Sequence, residues 1–277
     1  MREPALAAPR TNCGYVPSVR PAVTNKPADQ ASPLVASAAV LVDVDNYDEL
    51  RDVVDDASFS SRLMSLTRDF LAVCDQPVDQ LTIRLYGGWF EGAALTARAS
   101  EYAKLAQMGD PFPLVTTSRR ISGHVELAMG PITSPGMILP HTYRRRGSAP
   151  RLKRTPGIND PSCCGNSACS ARRLAGWTES PRKVCPTPEC NVTYADAFFG
   201  SEQKMIDALL SMDLIEMITS SRMSAVAVVS DDTDFIPALL YAAGRGQGQV
   251  ISMRRRRLDD LLADLLADAG VDDLRVA

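Results

Sequence analysis

The stretch AAVLVDVDN, residues 38–46, is a continuous apolar run that ends in acids, the pattern of a parallel strand buried on both faces whose carboxyl end opens onto a site. A second stretch repeats it: in AVAVVSDDTD, residues 225–234, an uninterrupted apolar strand leads into Asp231, Asp232 and Asp234. Around these two, helical and strand patterns alternate. Phe59, Leu63, Leu66, Phe70 and Val73 recur at steps of three and four, which predicts a helix over 59–74. LTIRLY, 81–86, reads as the next strand, and 93–108 as a helix stopped by Pro111 and Pro113. Later come a helix over 201–218, the strand 225–229, a helix over 234–244, a strand over 249–253 and a helix over 257–269. Strands and helices in this order predict an α/β fold, a doubly wound and mostly parallel sheet in an αβα sandwich.

The chain has 277 residues, 45% of them hydrophobic, and a formal net charge of -3, enough to bury a substantial core. No run approaches the 18 or so apolar residues of a membrane-spanning helix, and the first thirty residues carry Pro and charge where a signal peptide needs an apolar block. A cytoplasmic protein without a membrane partner is expected. Residues 1–36, with six Pro and no apolar periodicity, read as a flexible leader. Residues 37–109 and 201–277 are expected to form two parts of one α/β domain. The stretch 110–200 between them is too long to be a bare loop and is expected to form an insertion with its own fold.

Charge is unevenly spread. Residues 110–200 hold twelve Lys or Arg against six acids, a balance of +6, so the rest of the chain carries -9. Such asymmetry marks either a segment that meets a polyanion or a solvated basic loop. Five of the seven Cys crowd into 163–190. Cys164 and Cys169, then Cys185 and Cys190, form two pairs of x4 spacing that suit a four-cysteine Zn²⁺ site, with Cys163 competing for the first position. Free or redox-active thiols are the other reading. A zinc-stapled insertion could grip RNA phosphates through Arg144, Arg145, Arg146, Arg172 and Arg173, with Trp177 either stacking on a base or forming the module's small core. It could equally dock a protein. The run Arg254 to Arg257 either lines a substrate cleft or is a solvated helix start.

With two His in the whole chain, chemistry falls to the acids. At the carboxyl edge of a doubly wound sheet, Asp43, Asp45 and Asn46 stand after one strand and Ser230 to Asp234 after another. Asp207 belongs to the helix before the second strand, on or beside the apolar stripe of Leu210, Leu214 and Met217, whereas Asp213 falls about 120° off that face. Converging carboxylates repel one another unless a divalent cation compensates, and oxygen ligands without His suit Mg²⁺ or Mn²⁺. Sites of this kind hydrolyse phosphodiesters. The plain alternative makes these acids helix caps and strand-end turns.

Four pieces resemble the NYN family of PIN-like ribonucleases: LVDVDN (41–46), RLYGGW (84–89), QKMIDALLSMDLI (203–215) and VVSDDTDFIPALLYAAGRG (228–246). The resemblance implies a metal-dependent endoribonuclease in which Asp43, Asp207, Asp232 and Asp234 hold Mg²⁺ or Mn²⁺. It further implies that Asn46 and Ser230 orient ligands or phosphate, that Asp45 supports the cluster, and that Lys204 sits near the scissile backbone. Two departures stand out: Asp231 occupies a position where the family usually has Gly, and the gap before the Asp207 helix is unusually long. Two other readings compete. One is a haloacid-dehalogenase-like phosphatase built on Asp43, Asp45, Lys204 and the Asp231–Asp232 pair. The other is an RNA-binding or interaction module with inert acids.

Overall fold

The computed structural model describes residues 36–51, 55–116, 119–146, 166, 169–180, 182–198, 200–220 and 223–276. All but the last residue of the leader 1–36 read from the sequence lies outside them, as do Cys163 and Cys164.

In chain order the elements are β1 (Ser37–Asp43), α1 (Asp48–Arg51), α2 (Asp56–Val73), β2 (Gln80–Tyr86), β3 (Phe90–Glu91), β4 (Ala94–Leu95), α3 (Ala97–Met108), β5 (Leu114–Val115), β6 (Arg120–Leu127) and β7 (Tyr143–Arg146). They continue as α4 (Ser170–Trp177), α5 (Tyr194–Ala197), β8 (Gly200–Gln203), α6 (Ile206–Thr219), β9 (Ala225–Val229), a single 3-10 turn (Thr233–Phe235), α7 (Ile236–Arg245), β10 (Gln249–Arg254), α8 (Asp260–Asp268) and β11 (Asp272–Arg275).

The protein has an α/β fold. A seven-stranded sheet in the order β11-β10-β9-β1-β2-β6-β5 is parallel throughout except for the β5–β6 pair at one edge. From β1 the chain steps outward through β2 to β6, then returns past β1 to β9 and steps outward again through β10 and β11. The strand order therefore reverses between β1 and β9, and the carboxyl ends of these two strands frame the crevice where doubly wound sheets bind ligands.

Helices cover both faces. Phe59, Leu63 and Phe70 of α2 and Tyr102 of α3 pack on Val40, Val42 and Ile83, while Leu210 and Leu214 of α6 and Leu239 of α7 pack on Leu41, Val226 and Val228. Nearly all of these side chains are fully buried, worth roughly 1.5–3 kcal/mol each. This two-sided burial explains the continuous apolar runs of β1 and β9.

Helix starts follow side-chain caps: Asp55 accepts from Ser58 N–H (2.8 Å) before α2, and Thr96 accepts from Ala99 N–H (3.1 Å) before α3. The Thr96 cap moves the start of α3 four residues past the expected 93, because Ala94 and Leu95 pair with β3 instead. The expected helix over 201–218 is likewise divided: Gly200–Gln203 is a strand paired with β7, and α6 begins only after Met205, whose φ of 67° turns the chain.

Two strands of the large sheet, β5 and β6, fall inside the 110–200 stretch. A separate four-stranded sheet, β4-β3-β7-β8, takes β7 from that stretch, which also holds α4 and α5. β7 and β8 pair antiparallel from Tyr143↔Gln203 to Arg146↔Gly200, so the excursion 147–199 leaves and re-enters through a two-stranded stem.

Candidate active site

Asp43 ends β1 and is 1% exposed. Asn46 Nδ2 and Ser230 Oγ both donate to its Oδ2, at 2.8 and 2.9 Å, so the ends of β1 and β9 are joined through this carboxylate. Asp232 N–H donates to Ser230 Oγ (3.1 Å), and Asp234 N–H to Asp232 Oδ1 (3.0 Å), which caps the 3-10 turn leading into α7. Burial pushes the Asp43 carboxyl up; the two hydrogen bonds pull it back, and the charges of Asp45 and Asp207 push it further up. Partial burial also raises Asp207, aided by the charges of Asp232 and Asp234. Acids from β1, α6 and the β9 turn thus act on one another electrostatically.

Asp207 differs from its expected setting. It lies about 60° around α6 from Leu210, in the first turn, and is exposed, whereas the buried carboxylate of that helix is Asp213. Asp213 accepts from Arg84 Nε (3.2 Å), Tyr86 OH (2.8 Å) and Ile132 N–H (2.9 Å). The motif RLYGGW is explained in part by this network. Arg84 and Tyr86 tie β2 to α6, the Trp89 indole N–H donates to Leu85 O (3.1 Å), and a side chain at Gly87 would meet the Trp89 ring at 2.8 Å.

A cleft of about 680 Å³ opens beside the acids. Asp45, Asn46 and Asp207 line one side, Thr96 and Arg98 of α3 another, and Tyr143 and Gln203 of the excursion's stem a third. Gly88 forms part of the lining where a Cβ would come within 3.1 Å of Tyr143. Asp45 pairs with Arg98, whose guanidinium lies over the Tyr102 ring (5.4 Å), and Asp45 Oδ2 is buried without a hydrogen-bond partner. Sequence periodicity could not have found Arg98, Tyr143 or Gln203, because the β3–β4 hairpin and the β7–β8 stem bring them to the cleft. Lys204 pairs with Glu202 (Nζ to Oε1, 3.7 Å), and its N–H donates to Thr142 O.

The donor set is all oxygen, which fits Mg²⁺ or Mn²⁺, and the mutually raised carboxyls are in the electrostatic state that a divalent cation relieves. Among the described residues, no three His, Cys, Asp or Glu side chains stand close enough to share one ion. Asp207 and Asp234 are exposed, whereas Asp43 is buried.

In the excursion, Cys185 and Cys190 lie side by side, bracketing a turn in which Cys190 N–H donates to Thr187 O (3.2 Å). The Thr187 hydroxyl and N–H bond the Cys185 sulfur and lower its thiol. Cys169 stands at the N-cap of α4, and Arg173 of that helix donates to Pro186 O, joining helix and turn. The fourth expected ligand, Cys164, lies outside the described residues. Trp177 packs against Tyr194 and Phe198, each with ring centroids 5.9 Å away, and its N–H donates to Lys183 O (2.8 Å). This is the packing that a small core of the module requires. Arg172 lies on α4, and Arg144, Arg145 and Arg146 lie on β7 with side chains outside the described residues.

No family model and no curated protein matches the chain. Among solved structures, the crystal structure of a protein of unknown function from Vibrio parahaemolyticus is similar at 13% identity and a TM-score of 0.35, over 90% of this chain and 97% of that one. No helix among the described residues is long and apolar enough to cross a membrane.

Proposed function

We propose that this chain is a metal-dependent endoribonuclease of the NYN, PIN-like kind. The observation that carries the reading is the junction at the strand-order reversal, where Asp43, Ser230 and Asp232 are linked by hydrogen bonds and Asp207 of α6 is near enough to feel the charge of Asp232 and Asp234. In this reading Asp43, Asp207, Asp232 and Asp234 hold Mg²⁺ or Mn²⁺, whose charge supports phosphodiester hydrolysis by polarising the phosphate and acidifying a water. Asn46 and Ser230 fix the Asp43 carboxylate, and the Arg98 pair restrains Asp45. The cleft of about 680 Å³, walled on one side by the excursion's stem, is where this reading places the RNA strand.

The phosphatase reading needs Asp43 to attack phosphorus, yet its side chain is buried and held by two donors on one oxygen. The excursion in turn holds Zn²⁺ through Cys164, Cys169, Cys185 and Cys190 and contributes basic side chains to RNA binding. The thiolate-favouring turn at Cys185 supports the zinc assignment.

Purified protein is expected to cleave labelled single-stranded RNA with Mn²⁺ or Mg²⁺ and not with chelator. Asp232→Asn keeps the cap through its amide oxygen and is expected to lose at least about 100-fold in rate with the fold intact. An Asp232→Asn protein as active as the parent would overturn the assignment.

A further inference from the structure

Four consecutive arginines, Arg254 to Arg257, follow β10, and the structure divides their roles. Arg254 is buried and bound to Ser252 and Asp273. Arg255 pairs with Glu49 (3.5 Å). Arg256 and Arg257 are the exposed ones, with 79% and 78% of their side chains open to solvent. Asp231 holds the loop in place. Its Oδ1 accepts the N–H groups of both Arg255 (2.8 Å) and Arg256 (2.9 Å), while its own N–H donates to Asn46 O (3.2 Å). One residue, its carboxylate nearly buried, therefore fastens together the loops that follow β1, β9 and β10, three neighbouring strands, through its side chain to the β10 loop and its backbone N–H to the β1 loop.

That fastening sets the arginines on the carboxyl edge of the sheet, next to Asp232. Asn46, which accepts from Asp231 N–H, lines the cleft, and the cleft's own carboxylates, Asp45, Glu91 and Asp207, would repel a polyanion unless nearby cations offset them. Arg256 lies 3.8 Å from Asp231, and Arg257 pairs with exposed Asp260 (2.8 Å), a contact weak enough to yield to a phosphate. We infer that Arg256 and Arg257 form a phosphate-binding rim for the backbone of an RNA strand entering the cleft, and that Asp231 is the positioning residue that aims them. The inference rests on the ribonuclease reading for the identity of the strand.

The test measures binding of a labelled single-stranded RNA by fluorescence anisotropy, without Mg²⁺ or Mn²⁺, across a series of salt concentrations. Arg256→Ala/Arg257→Ala is expected to weaken binding about 10-fold, and its plot of log affinity against log salt should be shallower by roughly 1.4, the loss of two single-strand phosphate contacts. Asp231→Gly should also weaken binding, and Asp231→Asn, which keeps an acceptor oxygen for the two N–H groups, should restore it. Unchanged affinity in the double variant, or a loss of affinity with the salt slope intact, overturns the rim. Arg-dependent binding by a protein that cleaves with neither ion retains the rim and sinks the nuclease. Cleavage and binding indifferent to both arginines do the reverse.

Discussion

Asp213 sits six residues beyond Asp207 on one helix, and the two carboxylates meet opposite surroundings. Asp207 opens to the cleft; Asp213 is 1% exposed and takes donors from β2 and from the chain at Ile132. Removing it with Asp213→Ala leaves the Tyr86 hydroxyl without its acceptor and the buried Arg84 with Glu126, a partly exposed carboxylate, as its remaining ion-pair partner. The expected cost is about 3 kcal/mol, or roughly 6–12 °C in thermal midpoint for a domain of this size. A fall of less than about 2 °C would mean that Glu126 alone satisfies the guanidinium. The stripe of Leu210, Leu214 and Met217 expected from the sequence is buried, but Asp213, expected to lie off that face, is buried beside it, about 60° from Leu210 and about 40° from Met217. Residue spacing gives relative angles along a helix, and only packing against Leu41 and Val228 fixes which angle faces the sheet.

The elements that were legible are those buried on two faces. β1 and β9 show as unbroken apolar runs because helices cover them above and below, and β10 as a buried run broken by Ser252. β5, β7 and β8 are two to four residues long, too short to show a period, and β6 alternates because part of one face is open. The β7–β8 stem supplies an experiment of its own. Since Arg146 is already paired with Gly200, deleting 147–199 and joining the strands with an Asn-Gly turn is expected to leave a two-residue hairpin in register. The shortened protein should fold with an unchanged circular dichroism signature for the large sheet, carry no zinc by elemental analysis, and bind RNA less tightly. The intact protein should carry about one zinc per chain, as four ligands to one tetrahedral ion require. Zinc absent from intact protein, or retained after the deletion, would contradict the four-cysteine assignment.

For the molecule as a whole, the acid cluster is a local charge that an ion should relieve, so binding is visible as stability. Mn²⁺ at about 100 times its dissociation constant adds roughly 2.7 kcal/mol, a rise of about 5–10 °C in the melting midpoint. Asp43→Asn and Asp232→Asn are expected to abolish the rise. A parent protein that melts at the same temperature with and without either ion would count against the acids as its ligands. The fold class could be foreseen because alternating strands and helices with parallel-type strands admit few other arrangements. The cleft could be foreseen only in part, since its acids follow strands while its other walls come from pairings between segments far apart in the chain.

That distance also bears on how the protein is made. The hydrogen bond from Ser230 to Asp43 spans 187 residues, and β1 is both the first strand of the sheet and its centre. A ribosome adding about 5–20 residues per second needs roughly 10–40 s to travel from one partner to the other. For that interval β1 has a neighbour on one side only, and the Asp43 carboxylate has no β9 turn to meet. The junction between Asp43 and the β9 turn therefore cannot form until β9 has emerged, and the last strands to emerge complete the sheet.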